Sequence, residues 1–347
     1  MKLITIVIPT YNRSGSLAKT LDCLSTQINP LVSSRVEIVI SDNASTDSTG
    51  ELVRQWVGKN NEIDASYFCN SENVGFDHNF ILGAKRAKGR FIWFMSDDDF
   101  LVEGAVEKVV HILDRNLDVV FAFVNYSMLT PGFDEYFPYR FSGNHILGAD
   151  EFFVKSKVGF SFVSSCIFKR DIFCELDLNG HIGSYWIQLY AVKDIAQQGN
   201  SLIISEPLIK MQRPGLYESR QERKDPRRKI DMFIDYHLSF LDFVGSFKYS
   251  RFSIDTVRFL EDLGWADNLN QIVSFKLTSD KYRKNEIKEI FFRMNKFFGD
   301  RLVFWLVHVP FLVSPKFLSV IYFYLKLKKI KFKKLIRPIF VRFHYLK

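Results

Sequence analysis

The chain has 347 residues, 47% of them apolar and 35 of them Phe, which is ample for one catalytic domain plus an appendage. Its four cysteines, Cys23, Cys69, Cys166 and Cys174, form no C-x-x-C pair and no zinc spacing with His, so a disulfide scaffold and a zinc module are both excluded. The net charge of +8 is unevenly placed, because residues 301–347 hold eleven Lys and Arg and no acidic residue.

LITIVI (3–8) is a continuous, largely β-branched run, as in a strand buried on both faces of a parallel sheet. The opening MKLITIVIPT lacks the apolar h-region and small-residue cleavage site of a signal peptide, so it is expected to be a first strand. Ser14 can cap a helix that carries Leu17, Leu21 and Leu24 on one face. VEIVI (36–40) predicts a second strand that runs into SDNASTDS, followed by a helix with Leu52, Val53, Trp56 and Val57. SYFC (66–69) is a short third strand, 77–88 a helix that stops at Gly89, and RFIWFM (90–95) a fourth strand. A helix over 104–116 and a strand over 118–124 continue the alternation.

This pattern predicts an α/β fold with a mostly parallel sheet flanked by helices. Beyond residue 125 the signals thin to a strand over 161–170, a helix over 184–199 ended by glycine, and a strand over 201–207 ended by proline. The charged run QERKDPRRK (221–229) is the expected boundary. It divides a catalytic domain over 1–220 (donor half 1–125, acceptor half 126–220) from a helical C-terminal region over 221–347.

In such sheets the ligand lies beyond the carboxyl ends of the strands. Three polar clusters are expected there: Thr10-Tyr11-Asn12, Asp42-Asn43 and Asp97-Asp98-Asp99. Three adjacent carboxylates repel unless something positive sits among them. Mg²⁺ or Mn²⁺ would meet that need, taking carboxylate and phosphate oxygens together. The same aspartates also suit a solvated turn or the start of the next helix. Pro9, Thr10 and Tyr11 suit a nucleobase and ribose, or an ordinary strand-to-helix turn. Asp42 can accept a base N–H or make an Asx turn. Gly75 permits a close backbone approach, with Asn73, His78 and Asn79 around it.

Taken in order, VIPTYNR, DNASTD and NVGFDHNFILGAKRAKGRFIWFMSDDD resemble glycosyltransferase family 2, the inverting sugar transferases of Rossmann-like GT-A fold. Within it, FVSSCIFKRDIF and HIGSYWIQLYAV resemble the bacterial O-antigen transferases of the abequosyltransferase type. The resemblance implies a nucleotide-diphosphate sugar donor, a glycan acceptor and a Mn²⁺ or Mg²⁺ ion. It assigns Pro9 and Tyr11 to the nucleotide pocket and Asp42 to the base, and Thr10, Asn73 and Gly75 are expected to bind the nucleotide beside them. Asp98 would serve the ribose or the metal, and Asp99 and Asp97 the metal. Two departures stand out. Ser96 replaces the first acid of the family's aspartate motif. Ser184 stands where the family supplies the general base, leaving Asp177 and Asp194 as the nearest carboxylates.

The C-terminal stretch is apolar over 302–325, broken by His308, Pro310, Pro315 and Lys316, and then interleaves Lys and Arg with Ile, Leu and Phe. Its first run without a full charge is too short and too proline-interrupted for a spanning helix. It is expected to lie on an anionic membrane surface, or else to pack as a helical subdomain. No nucleic-acid-binding motif accompanies its charge. Read together, these features describe a metal-dependent glycosyltransferase at the cytoplasmic face of a bacterial inner membrane, acting on a lipid-linked glycan. A nucleotidyltransferase and a non-catalytic, membrane-bound nucleotide-sugar-binding protein are the rival readings.

Overall fold

The fold is seen in a computed structural model whose described residues are 2–129, 141–212, 239–240 and 242–260. In chain order the first elements are β1 (Ile4–Thr10), α1 (Ser14–Gln27), β2 (Val36–Asp42), α2 (Thr49–Lys59), β3 (Ala65–Cys69), α3 (Phe76–Arg86) and β4 (Phe91–Phe94). They are followed by β5 (Phe100–Leu101), α4 (Ala105–Asp114), β6 (Phe121–Leu129), β7 (His145–Leu147) and α5 (Ala149–Ser156). Last come β8 (Cys166–Lys169), α6 (Arg170–Glu175), α7 (Ile187–Ala196) and β9 (Ser201–Gln212).

Every residue of β1, β2 and β4 is buried, as expected of apolar strands covered on both faces. β1 pairs in parallel with β2 on one side and β4 on the other, and β2 pairs in parallel with β3. The sheet order is β3-β2-β1-β4-β8-β6-β9-β5, with β7 against β9. The chain therefore steps outward from β1 to β3 and returns to the opposite side of β1 with β4. That reversal opens a crevice at the carboxyl ends of β1 and β4. β8 is inserted antiparallel between β4 and β6, so β6 and its parallel neighbour β9 run in the same sense as β1 to β4.

Four local expectations are corrected. Ser14 is the first helical residue of α1, not its cap; Arg13 holds the cap position, and the Ser14 hydroxyl instead accepts a hydrogen bond from Ser48. The helix before Gly89 ends at Arg86. Gly89 is needed for close approach, since a Cβ there would lie 2.6 Å from the backbone nitrogen of Thr5. The strand expected over 161–170 begins only at Cys166, after two 3-10 turns at Gly159–Ser161 and Val163–Ser165. Those turns bring the Ser164 carbonyl to the Trp93 indole N–H at 2.8 Å. The strand over 201–207 continues through Pro207 to Gln212. Proline is tolerated there because the pairing with β6 shifts register between Val124 and Tyr126, so the missing N–H falls in a bulge.

Much of the Phe content fills the core. Phe80 stacks on Phe94 at 3.6 Å, and Phe121 meets Phe168 at 5.0 Å. Residues 242–260, which the sequence reading places in the C-terminal region, belong to one compact unit with residues 1–224. Phe247 and Phe252 each pack 5.0 Å from Phe153 of α5. Among the described residues no helix is long and apolar enough to cross a membrane. The basic stretch 301–347 lies outside them.

Candidate active site

The carboxyl ends of β1, β2 and β3 are in register at Thr10, Asp42 and Cys69. The loops that leave them face one another: the Asn43 N–H donates to the Thr10 carbonyl at 2.9 Å, and the Asn70 N–H to the Asp42 carbonyl at 2.8 Å. β4 is tied in when the Met95 N–H donates to the Val7 carbonyl, which places 96–99 directly beyond β1. The topology thus gathers the three expected polar clusters on one edge.

The repulsion among the aspartates has a structural answer, which is Arg13. Its Nη1 sits 2.9 Å from Asp97 Oδ1, and its Nη2 pairs with Asp98 Oδ2. Thr10 donates its hydroxyl to the other oxygen of Asp97 at 2.7 Å. Asp97 is almost wholly enclosed, and burial pushes its carboxyl up to about 6 despite the opposing pull of Arg13. Asp98 also accepts the Ser96 hydroxyl at 2.8 Å. Asp99 is buried and accepts the Ser164 hydroxyl at 2.6 Å, and Ser164 in turn accepts the Ser96 N–H. Ser164 therefore fastens the acceptor half to the aspartate loop. Arg13 and Ser164 were not singled out from the sequence. Arg13 stands inside VIPTYNR, but only the topology brings it to Asp98, 85 positions away.

On the other side of β1, Asp42 is buried and bound at both oxygens, by the Ser45 N–H at 2.9 Å and the Tyr67 hydroxyl at 2.6 Å. Burial and then Asp42 itself push the Tyr67 phenol above its ordinary range. Asn73 accepts from the Asn43 amide and from the Gly75 N–H, and Gly75 has the left-handed φ of 84° that favours glycine. Arg86 reaches Ser41 and Asn70 and lies over the Phe68 ring at 4.8 Å. Pro9 is buried within β1, whereas Tyr11 is exposed beside the crevice. These loops form a polar, amide-rich wall next to an aromatic plate.

The two carboxylates named for proton abstraction make local contacts. Asp177 is exposed in a turn, where it accepts the Asn179 N–H and side-chain amide. Asp194 sits in the last turn of α7 beside Lys193. No hydrogen bond or ion pair among the described residues joins either one to the 97–99 cluster. The Ser184 hydroxyl accepts the Trp186 N–H at the entry to α7. Asp77 of α3 also reaches this loop, where it accepts the Gly183 N–H at 2.7 Å.

Among the described residues no three His, Cys, Asp or Glu side chains come together as a metal centre. The donor chemistry around the aspartates is nevertheless all oxygen, from carboxylates and from the Thr10, Ser96 and Ser164 hydroxyls. Hard cations such as Mg²⁺ and Mn²⁺ select that chemistry, and they need few protein ligands when phosphates supply the rest. Asp98, with 16% of its side chain exposed against 4% for Asp97, is the more open to such an ion.

Residues 5–176 match the family described as Glycosyl transferase family 2. A stretch of 117 residues is 36% identical to abequosyltransferase RfbV of Salmonella typhimurium and covers 34% of each chain. A stretch of 134 residues is 28% identical to an Escherichia coli enzyme, UDP-Glc:alpha-D-GlcNAc-diphosphoundecaprenol beta-1,3-glucosyltransferase WfaP, covering 36% of this chain and 47% of that one. The matched part thus spans between a third and a half of these relatives. Among solved structures, Staphylococcus aureus TarS in complex with UDP-GlcNAc superposes with a TM-score of 0.62 at 16% identity, over 86% of this chain and 80% of that one. A mannosyltransferase from Pyrobaculum calidifontis, solved with GDP-Man and Mn²⁺, gives 0.52 at 14% identity, over 89% and 84%. These likenesses are to the GT-A fold.

Proposed function

We propose, from the premise that residues 5–176 are a glycosyltransferase family 2 domain, that the protein moves a sugar from a nucleotide-diphosphate donor to a hydroxyl of a glycan. The observation that carries this reading is the convergence of Thr10, Asp42 and Asp97–Asp99 at one end of parallel strands, where the sheet order reverses. The Asp42 side supports nucleoside binding: buried acceptors and side-chain amides there can pair with a base, and exposed Tyr11 offers a ring face. The aspartate side supports placement of the diphosphate, with Arg13 as a fork for its oxygens.

In the proposed reaction the acceptor hydroxyl attacks the anomeric carbon as the bond to the diphosphate breaks, inverting that carbon. Asp98, backed by Asp97 and Asp99, would hold the Mn²⁺ or Mg²⁺ ion, which when bound offsets charge on the departing diphosphate. The hydroxyls of Thr10, Ser96 and Ser164 keep the acidic loop in one geometry, so little reorganisation is needed as charge develops.

The acceptor is proposed to be a polyprenyl-linked oligosaccharide of a bacterial surface polysaccharide. Support comes from the activity named for WfaP, whose acceptor is a diphosphoundecaprenol glycan, and from the basic, aromatic stretch 301–347. That stretch would hold the enzyme at the cytoplasmic face of the inner membrane. The test is to incubate the full chain and Mn²⁺ with UDP-, dTDP-, GDP- and CDP-sugars and measure nucleoside diphosphate release with and without membrane extract. Acceptor-stimulated release is expected, together with its loss in Asp99→Asn. Pyrophosphate release from nucleoside triphosphates would instead indicate a nucleotidyltransferase, and binding without turnover a non-catalytic protein.

A further inference from the structure

Arg13 is anchored at its backbone and partly exposed along its side chain. Its carbonyl accepts the N–H groups of Ser16 and Leu17 as α1 begins. The preceding Asn12 is held in a left-handed conformation, φ 52°, where its side-chain oxygen accepts the Thr46 N–H at 2.7 Å. The stem beyond is flexible, and 41% of the side chain is exposed. Its guanidinium straddles two neighbouring carboxylates, one open and one enclosed.

One positive charge against two negative ones leaves the pair undercompensated, whereas a divalent cation would balance it. The carboxylate oxygens that suit such a cation are those the guanidinium now covers. The same fork also fits the paired oxygens of a diphosphate.

We infer that Arg13 is the built-in counter-cation of the aspartate cluster. It occupies the divalent-cation position at Asp97 and Asp98 while the site lacks donor, and it swings to the diphosphate when the ion and donor arrive together. The inference rests on the proposed donor chemistry for its second half only. Its first half is a competition between Arg13 and a cation for the same oxygens.

That competition can be measured with Mn²⁺ alone, by the loss of free-ion electron paramagnetic resonance signal on titrating the full chain. Arg13→Met should bind Mn²⁺ at least about tenfold more tightly than the unmodified protein, since a covering charge has been removed. The gain should vanish in Arg13→Met combined with Asp98→Asn. Thermal melts establish that each variant is folded; should Arg13→Met not fold, Arg13→Lys, with one compact ammonium in place of a fork, should show a smaller gain of the same sign. Equal or weaker Mn²⁺ binding in the folded variant overturns the inference, as does a gain that survives Asp98→Asn. No sugar nucleotide enters this assay. A failed transfer reaction therefore leaves the inference standing, and its own failure leaves the transferase reading standing.

Discussion

Asp77, in the first turn of α3, accepts the backbone N–H of Gly183 at 2.7 Å, joining segments 106 residues apart. This contact fastens the donor-side helix to the loop that carries Ser184 and Tyr185. Gly183 and Tyr185 both have positive φ, 84° and 62°, which turns the loop's N–H groups toward the carboxylate. Asp77 Oδ1 is buried with no hydrogen-bond partner among the described residues. Burial pushes the Asp77 carboxyl above its ordinary value, against the N–H groups of Gly183, Ser184 and Tyr185, which pull it down.

A carboxyl raised on folding favours the folded state while it is protonated. Its contribution is fully present below the unfolded value, near 3.8, and is lost as pH rises through the folded value. Asp77→Asn keeps the shape and an acceptor oxygen but never ionises. It is therefore expected to match the parent protein at low pH and to gain stability relative to it above that window. Urea denaturation of both proteins from pH 3.5 to 8 provides the check, and a difference that does not vary with pH would refute the assignment.

Tyr67→Phe removes the hydroxyl that Asp42 Oδ2 accepts. A hydrogen bond to a charged group contributes about 1.5–3 kcal/mol, so the variant should lose stability at the lower end of that range. It should also bind nucleoside diphosphates several-fold more weakly, because the Asp42 carboxylate is freed to rotate. Calorimetric titration with UDP, GDP, dTDP and CDP tests the second point; unchanged affinity for whichever nucleotide binds would remove Asp42 from the pocket.

Two glycines should respond differently to alanine. At Gly89 the added methyl would meet backbone atoms of Thr5 and Ile4 at 2.6 and 2.7 Å, and neither can turn aside. A loss of about 3 kcal/mol is expected, the upper range for overpacking. At Gly75 there is open space but a φ of 84°, so the cost should be about 1 kcal/mol and arise from the backbone alone. Denaturation midpoints would rank them, and a larger effect at Gly75 would contradict this account.

Asp150 accepts both the N–H and the hydroxyl of Ser253, at 2.9 and 2.8 Å, and so tethers the helical turn that follows. Burial pushes its carboxyl up, but the hydrogen bonds from Thr256 and Ser253 bring it below the ordinary value. The stabilisation is thus present above the unfolded value and lost as pH falls through the folded one. Asp150→Ala should speed amide exchange over 253–260 at pH 7 and make little difference once the parent protein's own carboxyl is protonated. Exchange rates equal at pH 7 would show that the Phe cluster alone holds the segment.

If the stretch 301–347 is the membrane anchor proposed above, deleting the residues after Asp300 should shift the protein to the soluble fraction, since the positive charge beyond that point has no acidic counterweight. A truncated chain that still sediments with membranes would locate the attachment elsewhere.

What the sequence determined by itself was local and periodic. Buried β-branched runs specified β1 and β2, the spacing of Leu17, Leu21 and Leu24 specified the inner face of α1, and the polar strand ends marked the edge where a ligand would sit. Period and turn chemistry act over a few residues, so they can be read in one pass along the chain. Tertiary structure alone decided the partners: Arg13 for Asp97 and Asp98, Ser164 for Asp99, and Asp77 for the Ser184 loop. Each of those pairs spans 65 residues or more, and the register and order of the strands bring its members together. Those pairings depend on which segments share an edge in space, a relation that no short stretch of sequence contains.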